Sequence, residues 1–525
     1  MKKLLALLLA LVMVMSMTAC VTEGDEEESR ATISMPSAVT ELKEWKNTDI
    51  YPLETDTVLR VLFTEDGLGD TDMSRLWEEV TGVKVENLTW TNEQMFTSIA
   101  AGDIPDAIVM PWNFTKDKVW ELHENLVDFT QYLDKMPNMC ALIKKYPEIL
   151  EVCAYPDGGM YSLPKVGWNN AYQSNVMYIR TDIMEELGWE KAPASVKELL
   201  DFLKQAQEHY KDDPEFKAFV PSSKTFMDWD ATNSIALALF SSFGDLVETG
   251  LTLNSDKEVV LGAATEQYRY YLEYMNELWN SGAFETEVYT ADATALKSTI
   301  KNGHCAVSIG TCATIAAFSD GVLDIEILQP LVSEYSGVKK WMKLPEVQFR
   351  ACIANKNCKD LDTLLVWLDS FYAPYTNPLN EEGTVWAGCA SKGVEGVNWT
   401  IDHEAKSWAS GAKFTNYYDS LYIDYGQYLP EEGSDLYIKS KGTNENLLPY
   451  AKEVSGLTNL VLSESDQDDY ADIWGDMESY ISQMHGKFVT GQEDIETGWD
   501  NYLSTLDRMG LPEILEMYQD TYDAQ

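Results

Sequence analysis

Hydrophobic positions recur along this chain with two periods, and the switches between them outline its elements. Val58 to Phe63 is a compact apolar run, which predicts a strand. Met73, Leu76, Trp77 and Val80 then fall at i, i+3, i+4 and i+7, one face of a helix. Asp70 or Asp72 can cap that helix and Gly82 can end it. Val83 and Val85 alternate with Lys84 and Glu86, a second strand. A helix is expected over 93–101, stopping at Gly102, and a third strand over 107–110. Strand, helix, strand, helix, strand at this spacing predicts a parallel sheet with right-handed crossovers. Ligands of such sheets sit beyond the carboxyl ends of the strands. Here that end delivers Pro111, Trp112 and Asn113.

From about residue 181 the pattern turns mostly helical. Thr181 precedes a short helix closed by Gly188. Ser195 and Glu198 form an S-x-x-E capping box, and Val196, Leu199, Leu200 and Leu203 make the stripe of the helix behind it. Tyr268, Tyr271, Leu272, Met275, Leu278 and Trp279 share one face of a longer helix ending near Gly282. Aromatics at helical spacing read as core. Residues 306–309 look like a strand after the turn at Asn302-Gly303, and suggest a return to the first sheet. The stretch from Asp468 to Tyr522 reads as acidic helices broken at Gly486, Gly491 and Gly510.

The beginning of the chain follows neither period. Lys2 and Lys3 precede an apolar run from Leu4 to Met15, then Met17-Thr18-Ala19-Cys20. A basic start, a short hydrophobic stretch and small residues read as a secretory signal, too short to span a bilayer. Met-Thr-Ala-Cys resembles the bacterial lipobox, whose cysteine is acylated and becomes the new N-terminus. The acidic residues 21–45 lack an apolar period and read as a flexible tether. More than one acyl chain at Cys20 would hold the protein stably at a membrane.

Composition narrows the function. Lys plus Arg is 39 and Asp plus Glu is 86, a net charge of −47. That excludes nucleic acid, which needs basic patches to displace counterions. It also disfavours polyanionic ligands, although a local basic pocket can override the global field. Seven cysteines follow Cys20, at 140, 153, 305, 312, 352, 358 and 389. None has C-x-x-C spacing. Cys140 with Cys153, or Cys305 with Cys312, could pair, but most read as small buried hydrophobes. No G-x-S-x-G, H-E-x-x-H, G-x-x-x-x-G-K-[ST] or G-x-G-x-x-G occurs. Histidines at 123, 209, 304, 403 and 485 make no metal spacing. Neither an enzyme nor a cofactor is expected.

Several segments resemble the extracellular solute-binding proteins, family 1, of bacterial ABC importers, above all the large Gram-positive lipoproteins that bind sugars or oligosaccharides. Ala101-Gly102-Asp103-Ile104-Pro105-Asp106 looks like the family's SGD-x-PD turn. The segment 156–164, PDGGMYSLP, looks like its PDGKIYALP. Tyr178 to Asp182, with Leu187-Gly188 and the capping box, looks like its IRKDWLDKLG segment. The segment 392–397 looks like its GIEG, and Gly498 to Tyr502 with Met509-Gly510 looks like its C-terminal W-x-x-Y…MGL. The resemblance implies an α/β fold, a two-lobed periplasmic-binding-protein-like (type II) clamp with a hinge and an interlobe cleft. It implies a signal peptide over 1–19 and a lipidated tether over 20–56. Lobe 1 would hold 57–165 plus 303–365, and lobe 2 would hold 166–302 plus 366–525. Large members often carry a D-P-D-G-N-G calcium loop after the capping-box helix. Here that place reads KDDPEFK over 211–217, without the alternating oxygen ligands and turn glycine calcium needs, so no metal is expected.

A sugar needs flat rings against its C–H faces and a few polar groups for its hydroxyls. With the resemblance in hand, the candidate contacts are aromatic and polar residues in loops. They are Trp112 and Asn113 after a strand; Trp168, Asn169 and Asn170 near the lobe crossing; Asp228, Trp229 and Asp230 beside a helix start; and Trp386, Glu395 and Trp399 around the GIEG-like segment. The expected partners are a carbohydrate and the transmembrane subunits of an ABC permease. The expected state is a monomer, on the outer side of the cell membrane and held there by lipid alone. A peptide or another solute as ligand, and a sensor or adhesin in place of a transport protein, remain alternatives of the same fold. A secreted glycoside hydrolase is the alternative from another class, and the carboxylate count does not discriminate it.

Overall fold

The computed structural model describes residues 33–64, 72–109, 114–166, 176–221, 235–247, 249–289, 293–310, 324–343, 346–373, 399–402, 407–410, 429–430, 432, 435–453, 457 and 460–524. Nine strands build its two larger sheets: β1 (Val58–Phe63), β2 (Lys84–Leu88), β3 (Ala107–Val109), β4 (Leu163–Val166), β5 (Val176–Arg180), β6 (Phe219–Pro221), β7 (Val307–Gly310), β8 (Ile325–Ile327) and β9 (Val347–Ala354). The first sheet has the order β2-β1-β3-β9-β4 and the second β8-β5-β7-β6.

The first sheet opens as the hydrophobic pattern predicts. β1 pairs in parallel with β2 (Val58 opposite Lys84) and with β3 (Val61 opposite Ala107). The helices between them run over Asp72–Thr81 and Asn92–Ala100. Thr91 caps the second through a full capping box with Gln94. Successive residues of a strand face opposite sides. Leu59, Val61 and Phe63 accordingly enter one core, with Trp77, Val80, Leu163 and Trp367. Leu62 enters the other, with Met95, Ile99, Ile108 and Phe114. β9 closes the sheet, antiparallel to β3 and to β4.

The second sheet gathers one large core. Tyr178, Leu199, Leu203, Phe219, Val307 and Ile309 are buried in it, as are Tyr268, Tyr271, Leu272, Met275 and Leu278, with Trp279 packed at its margin. The C-terminal helices Glu464–Thr490, Ile495–Arg508 and Leu511–Ala524 add Met477, Ile481, Phe488, Trp499, Tyr502 and Ile514. Trp499 Nε1 donates to Glu266 Oε1 at 3.2 Å, and the Tyr502 hydroxyl donates to the Ala263 carbonyl at 3.0 Å. His485, buried among these rings 2.9 Å from the Tyr268 hydroxyl, has its pKa pushed by burial down to about 3. Separate cores over two separate sheets, one on each face of the first sheet and one large core around the second, make the two-lobed α/β fold.

Five expectations need correction. β7 pairs with β5 and β6, so the strand near 306 joins the second sheet; the return to the first is β9. Alternating apolar runs identify a strand and leave its partner open, because register and sheet depend on tertiary contacts. The boundary drawn at 365 cuts helix Leu361–Ser370, whose Leu364, Trp367 and Leu368 lie in the first core. The stretch expected to be a free tether is docked from residue 33: Ile33 and Val39 are buried, helices form at Ser37–Thr40 and Asn47–Ile50, and the Ile33 N–H donates to the Leu150 carbonyl at 2.9 Å. Helix Glu464–Thr490 continues through Gly486 and ends at Gly491, in the left-handed region at φ 73°. A mid-helix glycine weakens a helix by about 1 kcal/mol, too little to break one packed on a core. The capping box at Ser195 is split: its hydroxyl accepts the Glu198 N–H at 3.1 Å, but Glu198 reaches back to the Ala194 N–H, at 2.7 Å.

Cys140, Cys153, Cys305, Cys352 and Cys358 are free thiols, so Cys140 and Cys153 do not pair and neither does Cys305. The first four are buried, and burial pushes their thiols well up, Cys153 and Cys305 to about 12. The segment in the place of a calcium loop is tied by a side chain. His304 Nδ1 lies 2.9 Å from Asp213 Oδ2, and its Nε2 lies 3.1 Å from Glu215 Oε2.

Two tightly packed joints carry the first lobe. Gly82 has φ +73°, and a Cβ there would stand 2.3 Å from the Leu53 carbonyl oxygen. Gly82→Ala combines a left-handed backbone with a clash against main chain, and should cost at least about 2 kcal/mol. Asp369 is fully buried and accepts the Asn138 and Met139 N–H groups at 3.1 and 2.8 Å and Asn138 Nδ2 at 2.9 Å. It thereby closes the open N-terminus of helix Pro137–Lys145. Asp369→Ala strands these donors and should cost roughly 2–4 kcal/mol. A fall of the first-lobe midpoint in a thermal melt checks both substitutions; an unchanged melt refutes them.

Candidate functional site

Strand direction decides where loops gather. In the first sheet β4 runs with β3, since both are antiparallel to β9, so Val109 and Val166 end at the same edge. In the second sheet Val176 lies opposite Gly310, and Pro221 opposite Ile309. The ends of β6 and β7 therefore share an edge with the start of β5. Residues 167–175 run from the edge at Val166 to the edge at Val176. A second crossing leaves β8 at Ile327, on that edge of the second sheet, and enters β9 at Val347, which stands opposite Val166. Both crossings thus join the same two edges, and the site is sought between those edges.

The predicted contacts relate to these edges as follows. Trp112 and Asn113 follow the end of β3 at Val109; Trp168 and Asn169 follow β4 at Val166; Asp228 and Trp229 follow β6 at Pro221. All six lie outside the described residues, as do Trp386, Glu395 and Cys20. Trp399 starts a short strand, Trp399–Asp402, and stands opposite Ser410 in its ladder with Ser407–Ser410. Arg180, at the far end of β5, is held by its own neighbours: Nε and Nη2 donate to Asp182, and Nη1 donates to the Gly303 carbonyl at 2.6 Å. Among the described residues no cluster of three or more His, Cys, Asp or Glu could hold a metal ion.

Sequence reasoning missed a second feature. A groove of about 470 Å³ opens between Trp120 and Pro156 of the first lobe and Leu462, Asp466, Met517 and Asp520 of the C-terminal helices and their approach. Trp120 lines it with a ring already engaged on one face. One face stacks on His123, centroids 3.9 Å apart at 10°, and Tyr155 lies nearly parallel at 6.0 Å. The Trp120–His123 spacing of i, i+3 was the signal available in the sequence. Below it, burial pushes the Asp117 carboxyl up to about 6, against the lowering effect of the N–H donated by Leu462. Burial likewise brings the neighbouring Lys116 amine down to about 8.

Comparison with known proteins places this geometry. A sequence profile for bacterial extracellular solute-binding proteins matches residues 77–359. The fructooligosaccharide ABC transporter substrate-binding protein FusA of Streptococcus pneumoniae serotype 4 is 24% identical over 514 residues, 90% of this chain and 91% of the relative. Among solved structures, FusA in complex with kestose superposes with a TM-score of 0.69 at 18% identity, over 89% of this chain and 99% of that one. A solute-binding protein of Bifidobacterium longum infantis, described as binding HMO, superposes with a TM-score of 0.71 at 17% identity, over 90% and 99%. The profile covers more than half of the chain, the shared fold is two-lobed, and both point one way: this chain belongs to the bacterial extracellular solute-binding proteins.

Proposed function

We propose that this protein captures a neutral oligosaccharide between its lobes and delivers it to the membrane subunits of an ABC importer. The observation that carries the reading is the pair of joined sheet edges, from which the loops bearing Trp112, Trp168 and Trp229 depart. Rings on such loops supply faces for sugar stacking, and Asn113, Asn169, Asp228 and Glu395 supply hydroxyl partners. FusA, similar along nearly the whole chain, is named for fructooligosaccharides, which supports the ligand class. Capture requires no covalent step. Ligand binds one lobe, contacts from the other stabilise the closed state, and the closed state presents both lobes to the permease.

The net charge of −47 agrees with an uncharged ligand. Among the described residues no helix is long and apolar enough to cross a membrane. In this reading the protein acts outside the cell as a monomer, anchored by acyl chains on Cys20 through a tether shorter than its acidic composition suggests, since the chain is docked on the first lobe from Ile33.

Two experiments test this. Kestose and longer neutral oligosaccharides should raise the thermal midpoint, by mass action, without yielding products. Trp168→Ala or Trp399→Ala should abolish that shift. Normal binding by both variants refutes the site, a shift with peptides instead refutes the ligand class, and hydrolysis refutes the binding role. Cys20→Ala should move the protein from the membrane fraction to the medium; retention at the membrane refutes the lipid anchor.

A further inference from the structure

The segment that leads into helix Glu464–Thr490, together with that helix, passes from the core of one lobe to the core of the other. Val461 is buried in the first lobe beside Leu62, Phe114, Val119 and Ile353. The next N–H, that of Leu462, donates to Asp117 Oδ1 at 2.8 Å. Ser463 then caps the helix by accepting the Asp466 N–H at 3.2 Å. Further along, the same helix places Met477, Ile481 and Met484 in the core of the second lobe. Asp117, on helix Lys116–Glu121, therefore grips the chain where it crosses.

We propose that Asp117 is a positioning residue for lobe closure, holding the Leu462 amide and so fixing the crossing segment about which the second lobe turns. The proposal rests on the hinge-closure reading above. The groove at this joint is lined from both sides, by Trp120 and Pro156 of the first lobe and by Met517 and Asp520 of a helix packed on the second. A change of lobe angle would change its width and, at Leu462, which lines it and donates to Asp117, the hydration of that carboxylate. Charged and titratable groups face the carboxylate from each packed element. Lys116 and Glu121 stand on its own helix, and Lys116 Nζ lies over the Tyr155 ring at 5.3 Å from the centroid. Tyr470 and Tyr518 face it from the C-terminal helices, their hydroxyls pushed up by burial. Asp466 and Asp520 line the groove.

The sign of the pH effect follows from that burial. The Asp117 carboxyl is held up at about 6 instead of its ordinary 3.8. Its contribution to the closed joint is thus fully present below the ordinary value and is lost as pH rises through about 6. Opening hydrates the carboxylate and releases a proton, so alkaline conditions loosen the joint.

Hydrogen–deuterium exchange on the full chain in detergent tests this, with rates corrected for the intrinsic effect of pH. Two segments are followed: 460–466, and 517–524 across the groove. In the wild type, exchange in both should quicken roughly tenfold between pH 5 and pH 7.5, as expected for a carboxyl that falls from about 6 to its ordinary 3.8 on opening, part of the effect being complete below pH 5. Asp117→Asn keeps an acceptor for Leu462 but does not titrate, so its exchange should stay slow at both pH values. Asp117→Ala should be fast at both, in both segments. The melting midpoints of the cores verify that the variants fold. An identical pH profile for wild type and Asp117→Asn overturns the proposal. So does an Asp117→Ala effect confined to residues 461–463, which marks a local anchor without influence on lobe angle. Because no sugar is needed, failure of every oligosaccharide to bind would refute the proposed ligand while leaving this measurement intact.

Discussion

The structure depends on one topological constraint: the crossings after β4 and β8 join the same edge of one sheet to the same edge of the other. The apolar residues consequently collect into cores that do not merge, Leu59, Trp77 and Trp367 on one side and Tyr178, Tyr268 and Trp499 on the other. Val109, Val166, Pro221 and Gly310 all end their strands at these joined edges. On the proposed reading, a ligand between these edges shifts the balance between open and closed states.

Legibility in the sequence followed the range of the interactions involved. β1, the helix over Asp72–Thr81 and the stripe of Val196, Leu199, Leu200 and Leu203 rest on local periodicity and were readable directly. The lobes themselves entered through resemblance, carried by turns such as Asp103 to Asp106, whose last carboxylate accepts the Arg60 N–H at 2.8 Å. Long-range choices were not readable. The partner of β7, the docking of Ile33 and the continuity of a helix through Gly486 are set by surfaces supplied by residues far away in the chain. Of the candidate tryptophans only Trp399 lies among the described residues, and it starts a strand where a loop was expected, because its pairing with Ser410 is a contact that local pattern does not show. Asp117 gave no signal at all: one aspartate among many acids acquires a role only through Leu462, hundreds of residues later.

Charge acts on this protein in two distinct ways. The excess of acids is a property of its outer surface, where solvent and ions screen it. The buried and half-buried cations are engaged locally. Arg180 is tied to Asp182 and to the Gly303 carbonyl, and Lys116 lies over the Tyr155 ring. An anionic guest would approach a strongly negative field with these cations already committed, whereas a polyhydroxylated neutral guest exchanges hydrogen bonds with water and is indifferent to that field.

Asp369 and Asp117 make one comparison that ties fold to function. Each is a carboxylate that accepts main-chain N–H groups from an element distant in sequence, and burial raises the pKa of each, Asp369 to about 7 and Asp117 to about 6. They differ in what surrounds them. Asp369 is enclosed within a single core, so its donors move with it and the joint has one state. Asp117 holds Leu462, which lines a groove whose walls belong to different lobes, so on the proposal above its hydration varies with the lobe angle. A buried acid inside a lobe is a fixed cap; the same acid at the seam is a joint whose strength varies with the motion it permits. The separation of one lobe's cores from the other's creates that difference, and on the hinge proposed above one kind of interaction serves both as a fixed cap and as an adjustable joint.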